Sequence, residues 1–441
     1  MSSDWPSFSV DQLSQAGIID RPMDGNHGEL HPKTSDFVPY GIPFIMASDL
    51  VSGRVDTEHC AHITKEQAAT LRKGFAKTGD VLISHKATIG RTAIVDEIKT
   101  EFLVLTPQVT YYRVVDNKKL DRHYLKYYFD SQGFQDLFKA WAGGGSTRSY
   151  LGITAQLKLP INLPPIEYQK AVSETLGALD DKIENNRRMN HTLETTAQAI
   201  FKSWFVDFDP VTAKAAGRKP FGMDDQAAEL FPSHFADSEW GPIPDGWWVG
   251  SVALLAKYVN GKNFTKGASG SGKMVIRIAE LNSGPGMSTV YNDVQADCEN
   301  IAYPGDLLFS RSGSLDVYRW HRDEALINQH IFKVTPSRFP QWFVYYQLRE
   351  AMPFFQGIAA DKATTMGHIK REHLAQAQTS IPSDDAIIKA ADNLITPIYE
   401  LIYANERESF ILMSVRNVLL PRLLSGELRI PQAEKLVDEV A

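Results

Sequence analysis

The chain has 441 residues, 43% of them hydrophobic, and a formal net charge of −7. That length exceeds one ordinary core and predicts two or more domains, and no run approaches the roughly 18 apolar residues of a membrane span. The opening MSSDWPSFSV lacks the basic-then-apolar pattern of a leader, and Cys60 and Cys298 form neither a metal spacing nor a disulfide framework, so a cytoplasmic protein with no membrane partner is expected. The acidity is unevenly spread: residues 1–160 carry 18 Lys/Arg against 18 Asp/Glu, and residues 246–382 carry 14 against 11. The acidic excess lies in the connecting segments, so the net sign does not exclude nucleic acid.

In chain order, residues 1–163 read as a first globule. Its strands are signalled by FIMASDLVSG (44–53), GDVLIS (79–84) and TPQVTYYRV (106–114), followed by an aromatic helix from Tyr127-Tyr128 and a polar loop, GGGSTRSYLGI (143–153). A long helix follows Pro164-Pro165 and fills 164–206. Residues 207–245 hold proline, glycine and charge without periodicity and read as a partly irregular connector. Residues 246–382 repeat the first globule: VIRIAELNSG (275–284), GDLLFS (305–310), INQHIFKV (327–334), Tyr345-Tyr346 and DKATTMGHI (361–369), with Gln329 set against Gln108. A second long helix fills 383–430, with Ser383 or Asp384 as N-cap, and 431–441 is a tail. Pro397 predicts a kink in that helix or a later start.

An offset of 219 superposes the two helices. Apolar residues recur at alternating three- and four-residue intervals, the seam of a coiled coil. Ile183 falls on Ile402 and Leu193 on Leu412. Between them the stripe is broken at the same place in both helices, by Asn186 and by Asn405. Helices paired about a two-fold run antiparallel and bring these midpoints together, where a buried amide pair penalises slipped registers. At about 37 residues, each helix is roughly 55 Å long. The fold class is therefore α+β: two similar α/β globules and two long helices paired as an antiparallel coiled coil, with an internal pseudo-two-fold repeat.

Catalytic motifs are missing. GASGSGKM (267–274) fits a phosphate loop in outline, yet Met274 stands where a magnesium-binding hydroxyl belongs and a strand, not a helix, follows. There is no Ser nucleophile elbow and no paired-His metalloprotease motif; His59, Cys60 and His62 in EHCAH lack a second pair at zinc spacing. No Asn/Asp-Pro-Pro-aromatic stretch for amino-group methylation occurs. No catalytic residue, metal or cofactor is assigned. Recognition material is present instead: His85, Lys86, Thr88 and Arg91 after one strand, and Arg311, Ser312, Arg319 and Arg322 after its repeat. Arg148 and Lys362 lie in the polar loops, and Lys266 and Lys273 flank the glycine-rich loop. Arg and Lys suit guanine edges and phosphates, and the hydroxyl residues are adaptable readers.

HPKTSDFVPYGIPFIMASDL, TKEQAATLRKGFAKTGDVLISHKATIGRTAIV, GGSTRSYLGITAQLKLPINLPPIEYQKAV, FKSWFVDFDPVTAKAAGRKP and LLPRLLSGELRI are together similar to the specificity (S) subunits of type I restriction-modification systems. The resemblance covers nearly the whole chain, with 246–382 assigned through the repeat. It implies two target recognition domains, each reading one half of a split duplex DNA sequence. It also implies helices that space the half-sites and dock two modification subunits, which use S-adenosylmethionine to methylate adenine. Restriction subunits using ATP and magnesium would complete the complex. Two other readings are a nucleotide hydrolase built on 267–273 and a coiled-coil scaffold without a DNA role.

Overall fold

A computed structural model describes residues 5–28, 31–143, 149–286, 288–361 and 368–438. The chain divides into two compact units, residues 1–182 with 411–441, and residues 183–410.

The first unit is built on two sheets. A four-stranded sheet runs Ala61–Ile63, Ile42–Ile45, Leu103–Leu105, Phe75–Ala76, its central pair parallel and its outer pairs antiparallel. A six-stranded sheet runs Met23–Asp24, Val109–Tyr112, Val81–Lys86, Thr88–Ile94, Gly53–Val55, Leu50–Val51. Leu103–Leu105 and Val109–Tyr112 are buried along their whole length, and Val81–Lys86 is exposed only at Lys86. Such unbroken apolar runs belong to strands covered on both faces. Helices Arg122–Asp130 and Gln132–Trp141 supply the cover, with Tyr124, Phe129 and Phe138 wholly buried. A third pairing, Ser7–Ser9 with Pro160–Asn162, closes the unit just before the first long helix.

The second unit repeats this plan. Tyr291–Asn292, Lys273–Ile276, Ala325–Ile327 and Ile301–Ala302 form a four-stranded sheet in the same order, again with a parallel central pair. Ala256–Asn260, Ile331–Pro336, Leu307–Ser310 and Val317–Arg319 form the second sheet, without the two extra strands of the first unit. Helices Gln341–Glu350 and Met352–Asp361 match the first unit's covering helices, and Trp247–Ser251 with Gln378–Pro382 matches the closing pair. The repeat extends to single bonds. In each Gly-Asp turn the glycine is left-handed, φ 89° at Gly79 and 96° at Gly305, a conformation that disfavours any side chain. The following carboxylate accepts from a backbone N–H three residues earlier, Lys77 N to Asp80 at 2.7 Å and Tyr303 N to Asp306 at 2.7 Å. A cation from the neighbouring strand completes each turn, Arg113 to Asp80 at 2.7 Å and Lys333 to Asp306 at 2.6 Å.

Segment 207–245, expected as a partly irregular connector, carries short regular elements. It forms helices Asp209–Ala215 and Asp225–Leu230 and the hairpin Phe235–Ala236 with Ile243–Pro244. Val211, Ala227, Phe231 and Ile243 enter the second unit's core beside Phe201, Trp204, Trp247 and Trp342. Burying each large apolar side chain contributes about 2 kcal/mol, so the segment packs as part of the second unit's core.

The long helices span Ile166–Phe205 and Asp385–Leu424. Asp384 caps the second, its carboxylate accepting from Ala386 N at 2.8 Å. Pro397 neither delays nor ends this helix. The residue is exposed, as is Asn393, whose carbonyl loses its usual donor, so water can serve that group. Within the first unit, the start of one helix meets the end of the other: Tyr168 Oη donates to the Leu423 carbonyl at 2.8 Å, and Arg416 pairs with Asp180 at 2.6 Å. Within the second unit, Asn186 and Asn190 meet Asn405 and Ile402. In both units the pairing is antiparallel. Leu412 is buried, and Ile183, Ile402 and Leu193 are half-buried.

Candidate nucleic-acid interface

In each unit, one end of the second sheet forms a corner made from three loops. In the first unit His85 N donates to the Gln108 carbonyl at 2.8 Å, and Leu151 N donates to the His85 carbonyl at 3.0 Å. In the second, Arg311 N donates to the His330 carbonyl at 3.0 Å, and Ile369 N to the Arg311 carbonyl at 2.8 Å. A further pair, Thr106 N to Ile45 O at 3.0 Å and Asn328 N to Ile276 O at 3.1 Å, fixes the register of the turns. Position 85 thus corresponds to 311, 108 to 330, and 150 to 368. Gln108 matches His330 rather than Gln329, because the turns have equal length and the glutamines sit one step apart in them.

The frame is shared and the side chains differ. In the first corner the Tyr150 ring, about half exposed, lies 5.6 Å from the His85 ring, with Lys86 Nζ 6.0 Å from its centroid. In the second corner the His330 and His368 rings stack at 5.2 Å with an interplanar angle of 14°. Arg311 lies over the Phe332 ring at 5.2 Å and donates to Asn260 Oδ1 at 3.0 Å. Burial holds the His330 imidazole below its ordinary value, assisted by His368 and Arg311, which favours the neutral ring.

The twelve residues nominated for DNA contact separate into groups. Lys86, Thr88 and Arg91 are exposed at one hairpin, where Arg91 Nη1 donates to the Ala47 carbonyl at 3.2 Å. His85 is wholly buried; its Nδ1 donates to the Leu151 carbonyl at 3.0 Å, and burial lowers its pKa. Ser312 is buried too, at 2% exposure, so neither faces a ligand directly. Arg319 turns inward to the second long helix, donating to the Tyr399 carbonyl at 3.0 Å and to Glu400 at 2.8 Å, with its guanidinium over Tyr399 and Tyr403. Arg322 likewise faces that helix, 5.7 Å from the Phe410 centroid. These two arginines fasten the globule to its helix. Lys266 is exposed, and Lys273 pairs with Glu324 at 3.3 Å at the head of strand Lys273–Ile276, so a strand rather than a helix directly follows the glycine-rich loop. Arg148 and Lys362 lie outside the described residues.

Reading by residue type missed Tyr150, His330 and His368. Aligning YLGI with the HI of DKATTMGHI would have paired Tyr150 with His368; nothing in the sequence marks the contact between His330 and His368. Among the described residues no group of three or more His, Cys, Asp or Glu is placed to hold a metal ion, and no helix is long and apolar enough to cross a membrane.

Comparison with known proteins agrees with this architecture. Residues 24–195 match the family described as the type I restriction modification DNA specificity domain. The chain is 25% identical to the HindI type I restriction enzyme specificity subunit of Haemophilus influenzae, over 97% of this chain and 100% of that one. It is 24% identical to the MjaIX type I restriction enzyme specificity subunit of Methanocaldococcus jannaschii, over 80% and 78% of the two chains. The crystal structure of a type I restriction-modification system S subunit from M. genitalium shares the fold, with a TM-score of 0.53 at 13% identity over 95% of this chain and 96% of that one. The chain thus carries a match to the type I restriction modification DNA specificity domain over residues 24–195, and it is similar along most of its length to proteins named type I restriction enzyme specificity subunits.

Proposed function

We propose that the chain is the DNA sequence-recognition subunit of a type I restriction-modification complex and has no active site of its own. Each α/β unit reads one half of a bipartite duplex target. The helix pair sets the distance between the half-sites and docks two modification subunits, which supply S-adenosylmethionine-dependent adenine methylation. Restriction subunits that use ATP and magnesium join the full assembly.

The observation that carries this reading is the doubled corner: one backbone frame built twice, holding different polar side chains each time. A duplicated catalytic unit would need the same side chains twice; two readers of unlike half-sites need a common frame with unlike side chains. Footprinting of the chain with its methyltransferase partner tests it. The expected pattern is two short protected blocks with an unread gap between them. Continuous protection that ignores sequence overturns the reading, as does nucleotide hydrolysis that disappears with Lys273→Ala.

A further inference from the structure

Ten buried side-chain nitrogen and oxygen atoms lack a hydrogen-bond partner among the described residues, and six of them fall at the two corners. They are His31 Nδ1, His85 Nε2 and Thr106 Oγ1 in the first unit, and Arg311 Nε, His330 Nδ1 and His368 Nδ1 in the second. Buried polar atoms are ordinarily paired, so a cluster of unpaired ones calls for a partner from outside the chain. In the first unit His31 and Thr106 border a cavity. Thr106, 5% exposed, lines it together with His31, Lys33, Lys86 and Gln108, over a floor that includes Phe44. Five of the six, all but His31 Nδ1, sit at positions the backbone bonds superpose: 85, 106, 311, 330 and 368.

We infer that Gln108 and Tyr150 in the first unit, and Arg311, His330 and His368 in the second, are the side chains that read base edges and set the two half-sites. The inference rests on the DNA-recognition reading above and adds the residues that discriminate. The chemistry separates the halves. The first corner presents an amide, which both donates and accepts, and a phenol hydroxyl. The second presents a guanidinium, which only donates, beside two imidazoles that each donate and accept when neutral. A guanidinium suits the paired acceptors of guanine, and an amide suits the donor and acceptor of adenine, so the two corners select different bases through one frame. Wholly buried His85 underlies Tyr150 and is not counted among the readers.

The test is methylation-site sequencing of the full complex carrying Gln108→Ala with Tyr150→Ala, and separately His330→Ala with His368→Ala. Each pair is expected to lower discrimination about tenfold or more at one or more positions of a single half-site, a different half for each pair, with the other half intact. If a double variant unfolds, the near-isosteric Gln108→Glu and His330→Gln replace it and are expected to shift base preference in the same halves. An unchanged target, or weaker methylation spread evenly over all sequences as loss of phosphate contacts would give, overturns the assignment while leaving the function standing. A parent complex that methylates without sequence preference overturns both.

Discussion

The Asn186 amide donates to Glu408 Oε2 at 2.6 Å and to Ser409 Oγ at 3.2 Å, while the Asn405 amide donates to Asn190 Oδ1 at 2.8 Å. Positions 186 and 405 are equivalent under the repeat, as are 190 and 409, so one polar contact is made twice across the helix pair. Asn186 Nδ2 also lies 3.4 Å from the Asn405 carbonyl, at the limit of a hydrogen bond. With two hydrogens on that nitrogen, the Glu408 and Ser409 contacts satisfy it. Both asparagines are buried, at 2% and 7% exposure, within an otherwise apolar stripe.

A buried polar layer of this kind trades stability for registry, and the two can be measured apart. Asn186→Ala removes one side of the layer and is expected to lower stability by about 1–3 kcal/mol in urea unfolding. Asn186→Leu combined with Asn405→Leu is expected to restore or raise stability and to lose register fidelity, seen as methylated sites with more than one spacer length. If the double leucine variant keeps a single spacer, the asparagines do not set the register.

The Gly-Asp turns offer a paired comparison. Asp80 is 1% exposed, and burial raises its pKa even with Arg113 Nε and Nη2 at 2.8 and 2.7 Å. Removing the guanidinium by Arg113→Ala leaves a buried carboxylate without its cation, at a cost of about 3–5 kcal/mol. Lys333→Ala removes the equivalent cation from Asp306, whose side chain retains 26% of its surface, so its loss is expected to be clearly smaller. Urea midpoints of the two variants at neutral pH decide this; equal losses would mean that burial of the carboxylate does not govern the cost.

How much of this was legible in the sequence depended on repetition. The long helices and the asparagine layer could be placed because a stripe with a matched gap recurs at a fixed offset, and the strand pattern because apolar runs recur behind the same Gly-Asp turn. Segment 207–245 was not legible. Its core residues, Val211, Phe231 and Ile243, lie in or just after separate short elements, and elements of two to seven residues are too short to show a period. The site was half legible. The hairpin 83–93 and its repeat led to the corners, but charge alone cannot tell an arginine that faces DNA from one, such as Arg319, held by a helix some 80 positions away. Nor could residue type show that His85 is enclosed while Tyr150 is open.

Arg319 therefore has a structural prediction of its own. Its side chain is 12% exposed and joins strand Val317–Arg319 to Tyr399, Glu400 and Tyr403 of the long helix. Arg319→Ala is expected to cost about 2–3 kcal/mol, through a lost charge-assisted bond and two cation–ring contacts, and to leave the methylated sequence unchanged. Unfolding curves and a methylation map together test it. A changed half-site with unchanged stability would return Arg319 to the DNA interface.

A last consequence concerns pH. Glu406, on the long helix, faces His321 Nδ1 at 3.6 Å. Burial pushes the Glu406 carboxyl up to about 7, opposed by Arg319 and Arg322 and reinforced by Glu194. Burial and the neighbouring Arg322 bring His321 down to about 4. Between those two values both shifts favour the uncharged forms in the fold. A carboxyl whose folded pKa lies above its unfolded one holds its proton more tightly when folded, so stability falls as pH rises from the unfolded value through the folded one. The Glu406 side chain keeps 36% of its surface, so solvent screens part of this loss. Glu406→Gln carries no titrating group there. Between pH 5 and 8 the parent chain is expected to lose stability relative to Glu406→Gln, with the gap widening from about pH 5 and levelling off above about pH 7. Urea midpoints for both chains across that range measure the gap. A gap that widens toward acid would mean that Glu406 is held charged in the fold, and that the arginines around it outweigh its burial.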